Sequence, residues 1–121
     1  LFFAHNTLLN DSHAGIFLKI WTEKFPDAFE AWVINNLTVG YGDFPVSAPG
    51  RFEGNRSVPR GDLLDYGGLP LRLSSVSPLR GTVRMPGQAR GVDLLPTAEF
   101  AFPVGGRAIH PPHSLAPGAF Q

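Results

Sequence analysis

Four histidines and a few well-placed hydroxyl and carboxyl groups are the residues of this 121-residue chain whose types admit chemistry. Ser12 beside His13, with Asp43 further along, has the composition of a nucleophile, base and orienting acid. No strand-turn-helix elbow surrounds the serine, however, and the set is not read as catalytic. His110 and His113 in "HPPHS" are spaced as metal ligands can be, but two prolines hold the intervening chain extended and no carboxylate lies nearby in sequence. His5 and His13 flank a polar turn and read as solvated loop residues. With no cysteine, thiolate catalysis, thiolate metal sites and disulfides are all excluded. The sequence is thus read as that of a non-enzyme without a cofactor.

Ten basic and ten acidic residues leave no net charge, so nothing argues for nucleic acid as a partner. The arginines at 72, 80, 84 and 90 are scattered among Pro and Gly without interleaved aromatics. "LFFAHNTLLN" lacks the basic start and cleavage site of a signal peptide and reads as a cut end. Three glycosylation triplets occur, at Asn10, Asn36 and Asn55.

Composition divides the chain near residue 50. Residues 1 to 44 hold one Pro and three Gly, whereas residues 45 to 121 hold eleven of each, with eight Arg and no Lys. The first part, to residue 51, is expected to be mainly α. Asp11 or Ser12 caps a helix over about 13–24 that sets Phe17, Leu18, Trp21 and Phe25 on one face. Pro26 ends it, and Asp27 with Glu30 forms the start of a second helix over about 28–36. That second segment is apolar nearly all round, which requires burial on most sides. Phe17, Trp21, Phe25, Phe29 and Trp32 are expected to cluster between the two helices. The tail, residues 52–121, is expected to be largely irregular, with short edge strands where "LPLRLSSV" and "FAFPV" escape the prolines.

One stretch is more specific. "NLTVGYGDFPVS", residues 36–47, contains "TVGYGD", which resembles the selectivity-filter signature of potassium-channel pore loops. The likeness extends over about residues 26–51, taking in the aromatic-bearing "FEAWVINN" before it and "FPVSAPGR" after it. It implies that the backbone carbonyls of Thr38, Val39, Gly40, Tyr41 and Gly42 replace water around dehydrated K+, the permeant ion, with Gly40 and Gly42 left-handed. Asp43 would sit at the outer mouth, and Trp32 would support the filter. Four identical subunits in a lipid bilayer are implied, and therefore a membrane location. The spans themselves would lie outside this chain, because no run approaches the roughly 20 apolar residues a crossing needs. The alternative is a soluble structural or interaction subunit with a small helical head and an extended Pro/Gly-rich arm.

Overall fold

The computed structural model describes residues 1–24, 29–44, 48–66, 69–101, 104–109 and 115–119. Its organising unit is a strand, a two-residue corner and a second strand, used three times. The first unit is β1 (Phe2–Ala4) and β2 (Thr7–Asn10), turning at His5 and Asn6. The second is β3 (Ala31–Ile34) and β4 (Leu37–Gly40), turning at Asn35 and Asn36. The third is β5 (Gly50–Glu53) and β6 (Arg56–Val58), turning at Gly54 and Asn55. The units stack in parallel register. β3 lies between β1 and β5, and β4 lies between β2 and β6. This is the stacking principle of a parallel β-solenoid, in which each coil contacts only its neighbours.

Corner chemistry explains why the strands bend where they do. His5, Asn35 and Gly54 have φ of 55°, 56° and 68°, left-handed values at the bend that carries the chain from one sheet to the other. Asparagine tolerates this region better than most residues, and glycine enters it at no steric cost. Glycine at the third corner leaves room for the Asn35 amide, since a Cβ at Gly54 would stand 1.9 Å from Asn35 Oδ1 and force it to shift. A further pairing, Ile16 with Asp43, stacks the segment after β2 on the segment after β4. There Phe17 N–H donates to Asp43 O at 2.8 Å and Asp43 N–H to Gly15 O at 3.0 Å.

The mainly α expectation is therefore corrected. Among the described residues there is no helix of seven or more residues, and the helical turns are two three-residue 3-10 segments, Thr22–Lys24 and Arg60–Asp62. The segment read as a helix over 28–36 contains instead β3, a corner and the first turn-out toward β4. Its all-round apolarity is that of a strand covered on both faces: Ala31, Val33 and Ile34 are fully buried. A short apolar run has this ambiguity intrinsically, and β-branched Val33 and Ile34 favour the extended form. The segment read as a helix over 13–24 is irregular up to its terminal 3-10 turn, with residues 15–17 committed to Asp43. Phe25, Pro26 and Asp27 lie outside the described residues. The two indoles are engaged separately. Exposed Trp21 lies 5.2 and 5.3 Å from the Lys19 and Lys24 ammonium groups, and Trp32 lies 5.1 Å from the Arg51 guanidinium.

The division placed at residues 51 and 52 falls inside β5. Beyond the coils come an antiparallel hairpin of β7 (Leu63–Tyr66) and β8 (Leu69–Leu73), and two small ones. These are β9 (Gln88–Ala89) with β10 (Val92–Asp93), and β11 (Ala98–Phe100) with β12 (Gly106–Ala108). The first hairpin closes the core, with Leu63 and Leu73 packed on Leu37, Val39, Val58 and Ala116. Each such aliphatic side chain contributes roughly 1.5–3 kcal/mol of burial. Glu99 on β11, buried, is held by Arg72 of β8 at 3.3 Å and by Arg107 of β12, which ties the last hairpin to the first. No helix among the described residues is long and apolar enough to cross a membrane.

Gly40, with φ of 89°, ends β4 against the first coil, where a Cβ would lie 2.1 Å from Asn10 O. Gly40→Ala is expected to lower stability by about 2–4 kcal/mol. Urea denaturation read by circular dichroism checks this, and unchanged stability would remove the close contact between the two coils.

Candidate functional site

The filter-like residues lie at the centre of the stack. Leu37, Thr38 and Val39 pair with Thr7, Leu8 and Leu9 on one side and with Arg56, Ser57 and Val58 on the other. In such a strand successive carbonyls point alternately to the two neighbours and are taken up by the ladder. The Thr38 hydroxyl donates to Arg56 O at 3.3 Å, and Val39 is buried in the core. Gly40 and Gly42 both have positive φ, at 89° and 148°. The reasons are local: Gly40 passes the Asn10 carbonyl, and a Cβ at Gly42 would meet the Phe17 ring at 3.0 Å and Gly15 O at 3.2 Å. Tyr41 is 60% exposed, and its carbonyl accepts from Asn10 Nδ2. Asp43 main-chain groups bind Gly15 and Phe17, and Trp32 lies on the other sheet under Arg51.

What the corners bring together is a line of asparagines that the residue-by-residue reading missed. Asn6 donates to Asn36 Oδ1 from both its main-chain N–H, at 2.9 Å, and its Nδ2, at 3.0 Å. Asn36 repeats this toward Asn55 Oδ1, at 3.0 and 2.9 Å. The amide nitrogens also reach back one coil: Asn36 Nδ2 donates to Phe3 O at 2.9 Å and Asn55 Nδ2 to Val33 O at 2.8 Å. Asn36 is fully buried, so each of these bonds satisfies a group that water cannot reach. The available signal was the aligned trio "HNTLL", "NNLTV" and "GNRSV", in which each Asn follows a left-handed residue.

Beside the ladder, His5 is 7% exposed, with Asn35 Nδ2 at 3.3 Å from its Nε2. The same Nδ2 donates to Arg84 O at 2.9 Å, which fixes the amide so that it offers His5 a donor. An imidazolium would set N–H against N–H there. Burial pushes the His5 imidazole down to about 4 from its ordinary 6.5, opposed only in part by the Gly118 main chain.

At the other end of β4 a cavity of about 530 Å³ is lined by Asp11, Gly40, Tyr41, Ser57, Pro59 and Arg60. Asp11 and Arg60 form an ion pair across it, and the His13 ring lies 5.8 Å from the Tyr41 ring. An aromatic face, a carboxylate–guanidinium pair and a hydroxyl suit a polar ligand better than a bare cation. Among the described residues no hydrogen bond joins Ser12, His13 and Asp43, and no three His, Asp or Glu side chains converge as metal ligands. His110 and His113 lie outside the described residues. Of the three glycosylation triplets, Asn36 and Asn55 are committed to the ladder, and Asn10 bonds Tyr41 O and Ser12 N–H at the surface.

Replacing Asn36 by Ala orphans both donors of Asn6 and removes one bond each from Phe3 O and Asn55 Oδ1, and is expected to cost about 3–5 kcal/mol. Asn10→Ala, at the exposed end, should cost under about 1 kcal/mol. Chemical denaturation of both variants checks the contrast, and equal costs would deny the ladder its role. For His5 the sign follows from linkage. Its native pKa lies below the unfolded one, so the unfolded state binds more protons between about 4 and 6.5, and stability falls as pH drops through that window. His5→Gln should remove this part of the pH dependence. NMR titration of the His5 ring should place its midpoint near 4.

Comparisons with protein-family models, with curated proteins and with solved structures return no match.

Proposed function

We propose that the chain is a structural or interaction module that works through the surfaces of a parallel β-coil stack. The observation that carries this reading is the asparagine ladder from Asn6 through Asn36 to Asn55, which commits the corner backbone and side chains to coil stacking. A stack of this kind presents rows of side chains at a fixed coil-to-coil spacing, a surface matched to extended or repetitive partners. The reading is a coarser form of the soluble-subunit alternative from the sequence, with stacked strands in place of its helical head.

The potassium-pore reading draws support from the positive φ at Gly40 and Gly42. Against it stands the pairing of Thr38 and Val39 on both sides, which leaves their carbonyls no common axis to face. Hydrogen exchange separates the two readings. A coil module dissolved without lipid or detergent should show the Leu37–Gly40 amides among the slowest in the chain, with or without potassium. Fast exchange there, slowed only by potassium in a bilayer, would overturn the module reading in favour of the pore.

A further inference from the structure

Among the described residues the first and third coils each pair on one side only, and their other edges are complementary. The ladder is directional: each corner asparagine donates its main-chain N–H to the Oδ1 of the next coil's asparagine. Asn6 therefore ends it with an Oδ1 that accepts from no described residue, and Asn55 ends it with a main-chain N–H that no described residue accepts. The strand backbones are polarised in the same way. Trp32 N–H donates to Leu1 O and His5 N–H to Ile34 O, so by parallel-ladder alternation Phe2 and Ala4 turn their main-chain groups outward from the first coil. Ala31 N–H donates to Pro49 O and Asn35 N–H to Glu53 O, so Phe52 and Gly54 turn theirs outward from the third. A depression of about 520 Å³ lies between Thr7–Asn10 and residues 14–17, and one of about 360 Å³ between residues 52–57, Thr38 and Phe44.

We propose that the third coil, residues 50–58, docks head to tail on the first coil, residues 2–10, of a second copy of this chain. The proposal rests on the module reading and names its partner. Continuity with the internal interfaces selects the occupant. The two edges share one layout of strand, two-residue corner with a left-handed first residue and Asn in second place, and strand. Docked in register, Asn55 N–H meets Oδ1 of the partner's Asn6. The partner's Asn6 Nδ2, which within one chain turns back to Ala4 O at 3.1 Å, is then placed to meet Phe52 O. This repeats the bonds that Asn36 makes to Phe3 and Asn55 makes to Val33. Gly54 N–H faces the carbonyl of the partner's Ala4, as Asn35 N–H faces Glu53 O. An unprotected strand edge is a template for such pairing, and a heterologous contact of this kind does not close, so copies add in an open series. A single coil edge is smaller than a standard protein interface, so the association is weak and reversible.

The test is sedimentation velocity on the full chain over a wide concentration range, with hydrogen exchange at both extremes. Wild type should form an open-ended, concentration-dependent series in which the amides of Phe2, Ala4, Gly54 and Asn55 gain at least tenfold protection. Ala4→Pro and Phe52→Pro each delete one outward donor. Each variant alone should stay monomeric, while an equimolar mixture, having one intact edge of each kind, should stop at dimers. A wild type that stays monomeric at all concentrations overturns the proposal. So does association that protects other amides, or variants that associate as wild type does. Should either proline variant lose its β spectrum, the wild-type exchange data decide alone. Slow Leu37–Gly40 exchange with unchanged edge amides would sink the docking and leave the module intact, whereas fast Leu37–Gly40 exchange would sink the module itself.

Discussion

Burying a side-chain amide is costly unless all its groups are bonded, and Asn36 sets the terms for the rest of this fold. Its Oδ1 accepts twice from Asn6 and its Nδ2 donates to Phe3 and Asn55, so both outer coils are held at one height and one register by a single residue. A slip of one residue in any coil would leave these groups unpaired in a dry corner and turn Leu37 and Val39 away from the hairpin that covers them. Register, core and corner are thus one constraint seen from three sides.

The remaining features follow from keeping the coils at ladder spacing. The first two corners use His5 and Asn35 in left-handed backbone, and the third uses glycine, which leaves the space over it to the Asn35 amide. Gly40 keeps the end of β4 close to the Asn10 carbonyl. The protonation state of the buried His5 bears on the corner, because its neighbour Asn35 is oriented by Arg84 O and can offer only a donor. Residues far along the chain, from Leu63 to Ala116, serve as the cover that a stack of only three coils cannot provide for itself.

How much of this could be read in the sequence depends on the element. The apolar run before Asn35 announced burial correctly, but burial on all sides is shared by a central strand and a buried helix, and a segment of four residues is too short for periodicity to choose. The repeat was hidden because the coils return over unequal loops: Asn6 and Asn36 stand 30 residues apart, Asn36 and Asn55 only 19. A fixed-period search fails on such spacing, although "HN", "NN" and "GN" before each second strand carry the corner chemistry. The "TVGYGD" stretch attracts attention by its residue order, and both its glycines are at positive φ. Yet a left-handed glycine serves any tight approach of two backbones, and here the neighbour is the preceding coil. In the tail, the prolines did not prevent β structure; they kept it to short hairpins at the margin of the core.

Three parallel coils meet at the asparagine corner, and interstrand proton contacts in solution test this arrangement most directly. Nuclear Overhauser effects between backbone protons of the Leu8–Thr38 pair and of the Thr38–Ser57 pair are predicted together, since the register places Thr38 between the other two. Contacts of the i to i+3 kind running through residues 28–36, with neither cross-strand pair present, would contradict it.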